Sequence, residues 1–182
     1  GQCPPEEPPL APYLVDWEGF ANGTNGFAFS NCWTTGSNTP NWQIEDGQTV
    51  SSFTGPATDN TTGTTAGKYL FLETSSGLTG AVNTLTSPDI SLDNLGSLRE
   101  LTFFYHMYGA TMGTLTVDVF NGTSYDTVFT VSGQQHTSLT DPWSKATVSL
   151  AAYTGTVHFR FHGSRGTSYT GDMAIDDIFI AD

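Results

Sequence analysis

The reactive groups of this sequence are mostly carboxylates. Asp16-Trp17-Glu18 sets two of them two residues apart, so an extended backbone projects both to the same side. Near the other end, Asp176-Asp177 lies among Ile175, Ile178, Phe179 and Ile180. Both faces of such a strand carry apolar neighbours, so one Asp must enter apolar surroundings, and parity does not say which. An ionised carboxylate there costs several kcal/mol unless it is paired. Only Lys68, Arg99, Lys145, Arg160 and Arg165 offer a positive charge, which makes a bound cation the economical partner. If the first and last strands run side by side, Asp16, Glu18 and Asp176 converge. Two carboxylates about 4 Å apart repel by about 4 kcal/mol at an effective dielectric near 20, so the cluster calls for a metal. Hard oxygen ligands without thiolate favour Ca²⁺ over zinc or copper. Asp59, in the GPATDNT segment, is the expected loop ligand. The competing reading is that these acids are solvated or cap turns.

Other chemistry has less support. There is no G-x-S-x-G, no H-E-x-x-H and no cysteine nucleophile with an assigned histidine, so the chain reads as non-catalytic. A carboxylate pair can cleave a glycosidic bond, but an ion explains the obvious pair better. Gly63 to Lys68 resembles a phosphate loop, yet its glycines stand one residue too close and Tyr69 replaces the required Ser or Thr. His158, Arg160 and His162 share the outer face of one predicted strand. A zinc site there lacks a third ligand, which leaves a solvated sheet face able to touch an anionic group. His106 reads as a hydrogen-bonded core or sheet residue. Trp33, Trp42, Tyr108 and Tyr169 lie in or near predicted loops, where an exposed ring stacks on a sugar and a buried one plugs the end of a sandwich.

The elements that position these groups are strands. From Tyr13 onward no window sustains a 3.6-residue apolar period, whereas period-2 runs recur between Gly, Asn, Asp and Ser. The clearest are 68–74, 100–109, 114–120, 126–132, 145–150, 156–163 and 173–181. Leu115, Val117 and Val119 share one face of their run, and Val157, Phe159 and Phe161 share the inward face of theirs. Many short strands without a crossover helix predict an all-β fold, a two-sheet antiparallel sandwich of jelly-roll type. Residues 47–67 form a long polar Gly/Thr-rich loop, and a loop of that length inside a domain needs something to pin it. Residues 1–12, with five prolines and two Glu, read as an extended linker to the rest of a larger protein.

Eighteen Asp+Glu against five Lys+Arg give a net charge of −13, which repels phosphate backbones and excludes nucleic acid and anionic membranes as partners. No apolar run is long enough to span a bilayer and no signal peptide is evident, so the chain reads as a mature or excised piece. Abundant Thr, Ser and Asn, low Lys and three Asn-x-Thr triplets at Asn22, Asn60 and Asn121 suggest an exported surface.

Six motifs then follow one another in order: DWEGF at 16–20, NCW at 31–33, TGPATDNT at 54–61 with GKYLFLE at 67–73, LTSPDI at 85–90, LTFFYHMYG at 101–109 with GTLTV at 113–117, and AIDDI at 174–178. Over 13–182 the chain resembles a MAM domain. The resemblance implies a jelly-roll sandwich that recognises or adheres outside the cell, as a module of a secreted or surface-displayed protein, with an extracellular glycan or protein as ligand and other domains of the parent chain as neighbours. It also implies a structural Ca²⁺ near the opening acidic motif, held by Asp16, Glu18, Asp59 and Asp176. The family's first cysteine pair flanks that motif, as Cys3 and Cys32 do; closing that loop would stabilise the fold by about 3.5 kcal/mol. Many animal members place a cysteine where this chain has Glu100, which suggests a bacterial multidomain parent. The alternative function is a carbohydrate-binding accessory module of a polysaccharide-degrading enzyme.

Overall fold

A computed structural model of the chain describes residues 3–182. Its strands are β1 (Tyr13–Val15), β2 (Thr34–Thr35), β3 (Asn41–Asp46), β4 (Lys68–Glu73), β5 (Val82–Thr86), β6 (Ile90–Ser91), β7 (Glu100–His106), β8 (Thr114–Phe120), β9 (Tyr125–Ser132), β10 (Ser144–Ser149), β11 (Thr156–Ser164) and β12 (Ala174–Ala181). One sheet runs β10-β7-β12-β4-β3, with β1 also on β12; the other runs β2-β5-β11-β8-β9, with β6 on β11. Every strand pairing is antiparallel. The predicted all-β, two-sheet sandwich is what the chain forms, and each of the seven predicted runs carries a strand.

Alternation decides which side chains meet between the sheets. Leu101 and Phe103 of β7, Leu70 and Leu72 of β4, and Ile178 and Ile180 of β12 face Leu115, Val117 and Val119 of β8 and Val157, Phe159 and Phe161 of β11; all are buried. Phe103 contacts the rings of Phe161 and Phe129 across the gap, both at 5.3 Å and close to perpendicular, the edge-to-face arrangement that aromatic quadrupoles favour. Fully burying such side chains stabilises the fold by about 1.5–3 kcal/mol each. On the outer side of the first sheet, Tyr69, Phe71 and Ala174 form a second small cluster against Trp143, so β4 is covered on both faces.

The proline-rich start departs from the expected linker. Cys3 and Cys32 are joined in a disulfide. Ala11 is fully buried, its N–H donates to the Ser91 carbonyl at 2.9 Å, and the Ser91 N–H donates to the Pro9 carbonyl at 2.8 Å. The segment bends at several positions, and residues 9–11 are strapped to β6. Buried Ala11 and two backbone hydrogen bonds outweigh the stand-off that composition alone suggests.

Candidate metal centre and ligand face

Three buried carboxylates organise loop 47–67: Asp59 braces it from within, and Asp172 and Asp176 tie it to the first sheet. Within β12 the register slips between Asp176 and Phe179, and Asp177 adopts a left-handed φ of 49°. The slip turns both acids toward the loop, and of the two it is Asp176 that is fully buried, while Asp177 stays half-buried. Asp176 Oδ2 accepts from the Asn60 N–H at 3.0 Å, the Thr61 N–H at 3.2 Å and the Thr61 hydroxyl at 3.2 Å. Asp177 takes the Asn60 amide at 2.6 Å and the Thr61 hydroxyl at 2.7 Å. Burial, and then the neighbouring Asp177 charge, push the Asp176 carboxyl up to about 8.

β1 pairs with β12 as the convergence argument requires, ending at Val15 opposite Ile178, one residue short of Asp16 and Asp177. The expected extended Asp16-Trp17-Glu18 is instead a turn. Trp17 has a φ of 66° and is buried among Phe20, Phe29 and Trp33, while the Glu18 N–H donates to Asp16 Oδ1 at 3.1 Å. Packing an indole into the core wins over straight backbone geometry. The turn still delivers Glu18 to the loop, where it accepts the Lys68 N–H at 2.9 Å. Asp59, 1% exposed, accepts from the Thr62 N–H and hydroxyl, at 3.0 and 2.7 Å. Its carboxylate lies against Gly67, where any Cβ would overlap it.

These acids suit a hard cation in chemistry, though their oxygens do not form a closed cage. Burial raises the Glu18 carboxyl; the Lys68 N–H opposes this, and hydrogen-bond contact with Asp59 and the charges of Asp59 and Asp16 add to it. Like charges gathered in this way favour a cation as their common partner. Among the described residues no three His, Cys, Asp or Glu side chains stand in ready-made metal-ligand geometry. Asp176 joins the other three acids through Asn60 and Thr61, the residues that follow Asp59.

Asp172, which the sequence reading missed, is the third of these carboxylates. It accepts from the Thr49 hydroxyl at 2.7 Å and from the Thr74 N–H and hydroxyl at 3.1 and 3.0 Å, while its own N–H donates to Thr54 Oγ1 at 2.8 Å. Burial, then the Glu73 charge, raises its carboxyl to about 6. Its one sequence signal is an acid directly before the apolar run that opens at Met173.

The candidate ligand residues divide. Trp33 and Trp42 are both 0% exposed, which corrects the sugar-platform reading. The Trp33 indole donates to the Tyr13 hydroxyl at 2.8 Å and that of Trp42 to the Asn83 carbonyl at 2.9 Å, so each finds its polar partner inside. Tyr108 is half-buried, and its carbonyl accepts from the Thr54 hydroxyl and the Gly55 N–H. Tyr169, 44% exposed, remains free to stack on a ligand. His158, Arg160 and His162 do share the outer face of β11, but they are not a free basic patch. Asp118 Oδ2 binds Arg160 at 2.9 Å and His162 at 2.7 Å, Asp89 takes His158 at 3.0 Å, and the Arg160 guanidinium lies 3.2 Å over the Tyr125 ring. Burial opposes ionisation of Asp118, but hydrogen bonds from His162, Arg160 and Thr127 outweigh it and hold its carboxyl low. The carboxylates cancel the charge that an anionic ligand would seek.

The family model for the MAM domain, meprin/A5/mu, matches residues 25–182. The chain belongs to the MAM domain family. Strand β1, which precedes the matched segment, pairs with β12 within it, and Cys3 is joined to Cys32 within it. It is 39% identical over 129 residues to MAM domain-containing glycosylphosphatidylinositol anchor protein 1 of Gallus gallus, covering 69% of this chain and 13% of the relative. To MAM domain-containing protein 2 of Mus musculus it is 33% identical over 141 residues, covering 78% and 20%. The MAM domain thus spans between an eighth and a fifth of these relatives' length. Both come from animals, so the expected bacterial parent finds no support; a missing cysteine near Glu100 does not mark the source. Among solved structures, the K1 cleaved adhesin domain of Lys-gingipain from Porphyromonas gingivalis W83 superposes with a TM-score of 0.57 at 16% identity, covering 93% of this chain and 98% of that one. The carbohydrate-binding module TmCBM61, in complex with β-1,4-galactotriose, gives 0.51 at 12%, covering 81% and 86%. These likenesses are of fold.

Proposed function

We propose that the chain is a non-catalytic, calcium-stabilised recognition and adhesion module of a larger secreted or surface-displayed protein. The observation that carries this reading is the MAM match across 25–182 on a two-sheet sandwich. The name of the chicken relative, a glycosylphosphatidylinositol anchor protein, agrees with display at the cell surface. Ca²⁺ is assigned to the acids of the loop 47–67 region, with Asp16, Glu18, Asp59 and Asp176 as ligands. The burial of Asp59 and Asp176 supports a cation, because among the described residues neither carboxylate forms an ion pair with Lys or Arg. Binding there would lock the loop that frames one end of the sandwich. Recognition then falls to the surface, of which no part is assigned to catalysis.

The ligand is a protein or a glycan. The carbohydrate-binding reading retains one observation in its favour, the exposed Tyr169 ring, and loses the two tryptophans. Binding of the purified domain to a panel of oligosaccharides and to animal-cell surfaces, each in calcium and after chelation, tests the assignment. Calcium-dependent attachment to cells with no glycan in the panel bound supports protein adhesion. Saturable binding of one glycan class, abolished by Tyr169→Ala, replaces it with a carbohydrate-binding module.

A further inference from the structure

We infer that Asn121 is an N-glycan attachment site of the folded protein, and that Asn60, although it carries the same triplet, is not. The inference rests on the extracellular reading above, since the modification occurs only along an export route. Three Asn-x-Thr triplets begin at Asn22, Asn60 and Asn121, and the fold gives them different surroundings. Asn121-Gly122-Thr123 lies at the tip of the hairpin between β8 and β9, and Asn121 is exposed. Its Oδ1 accepts from the Thr123 N–H, the Thr123 hydroxyl and the Ser124 N–H, each at 3.0 Å, and Gly122 opens the turn with a φ of 102°. This turn is built entirely within four residues, so a nascent chain can form it before the sheets assemble. The Asn121 amide nitrogen makes only long contacts to exposed groups, 3.2 Å to Ser124 and 3.4 Å to Asp126.

Asn60 sits in the opposite situation. Its amide donates to Asp177 at 2.6 Å and its backbone N–H to the buried Asp176 at 3.0 Å, while the hydroxyl of Thr62, the third residue of its triplet, is held by Asp59 at 2.7 Å. A sugar on that nitrogen would be forced between loop and strand, where Asn60 is part-buried. Asn22 bonds Asp46 through its amide at 2.9 Å and Lys68 through its carbonyl oxygen at 2.7 Å, and no assignment is made for it.

Chemically, the Asn121 amide nitrogen attacks C1 of an oligosaccharide carried on a polyprenyl diphosphate. The C1–N bond forms, the C1–O bond breaks, the polyprenyl diphosphate leaves with the bonding pair, and the nitrogen gives up one proton. One N–H remains, enough to keep a hydrogen bond to Ser124 or Asp126. A glycan at this tip stands beside Tyr125, the cross-strand partner of Phe120, and shields the Tyr125–Arg160 end of the second sheet. The surface left for a partner is then on other faces.

The chain is produced in animal cells behind a supplied secretion leader, and the glycosidase that cleaves the Asn–sugar bond is applied in heavy-oxygen water, which tags each formerly occupied Asn. The expected result is a tagged Asn121 peptide, an untagged Asn60 peptide, and loss of one glycan mass in Asn121→Gln and again in Thr123→Ala, either of which suffices if the other fails to be secreted. An untagged Asn121 peptide, or a tagged Asn60 peptide in folded protein, overturns the inference. Because the leader supplies export, these outcomes are read separately from cell attachment, which tests the adhesion reading.

Discussion

The rings of His106 and His136 are stacked, with centroids 4.4 Å apart and planes 10° from parallel. His106 comes from the end of β7 and His136 from the segment between β9 and β10. Nδ1 of His136 accepts the Met107 N–H at 2.8 Å, which assigns its proton to Nε2, 3.0 Å from the Ser144 hydroxyl; Nε2 of His106 lies 3.1 Å from the Asp141 carbonyl. Both rings are therefore placed as neutral imidazoles in a buried pair.

Burial, and then repulsion from a protonated His136, push His106 down to about 4, from an ordinary value near 6.5. The unfolded chain binds the proton first, so this residue's contribution to stability is complete above about pH 6.5 and is lost as pH falls toward 4, by about 3 kcal/mol in all. Asp172 and Asp176, whose folded values are raised, titrate with the opposite sign and mask the loss in the whole protein. The contribution is isolated by comparison. The change in unfolding free energy between pH 7 and pH 5 should differ by about 2 kcal/mol between the parent and His106→Gln, with ring proton NMR showing no titration of His106 above pH 5. A His106 midpoint near 6.5 would show that the pair is open to water.

Calcium should raise the melting temperature, and EDTA should reverse the gain. At a free concentration a hundredfold above Kd the linkage is about 2.7 kcal/mol, several degrees for a chain of this size. Asp59→Asn and Asp176→Ala should each abolish the response. Gly67→Ala should weaken it, because the new methyl displaces the Asp59 carboxylate. An unchanged melting curve on adding calcium to chelator-stripped protein removes the metal from the assignment; loss of the response in Asp177→Ala but not in Asp176→Ala moves the ligand by one residue.

Reduction of Cys3–Cys32, which are separated by 29 positions, should lower stability by about 3.5 kcal/mol on the chain-entropy account, measured by urea unfolding with and without reductant. The Ala11 and Ser91 amides should lose protection at the same time, since the disulfide and β6 hold the two ends of the strap. Protection that survives reduction would mean the β6 contacts hold the strap alone.

Trp42→Ala should cost about 3–5 kcal/mol, as for other large core rings, and abolish ligand binding only through unfolding. Tyr169→Ala should leave the melting temperature within about a degree, because its ring is exposed and its backbone carbonyl, the acceptor for Thr74, is retained. Ligand titrations of the two variants at a temperature where both are folded distinguish a stacking platform from a core plug.

Residue alternation by itself determined the sandwich. In the runs at 114–120 and 156–163 the apolar set falls on one face, and a period of two leaves no other element type and no other register of inside and outside. The acidic ends were legible as well, since an Asp pair in an apolar strand has few physical resolutions. What only the tertiary structure decided concerns contacts between segments distant in sequence. Asp176 and Asp177 both face loop 47–67 because a bulge breaks the alternation on which parity depends. Trp33 and Trp42 are core because the indole acceptors, Tyr13 and the Asn83 carbonyl, arrive from elsewhere in the chain. Asp118 meets Arg160 and His162 because β8 pairs with β11, a partnership that no local pattern encodes. Periodicity fixes which way a side chain points, but its burial and charge state depend on what folds over it.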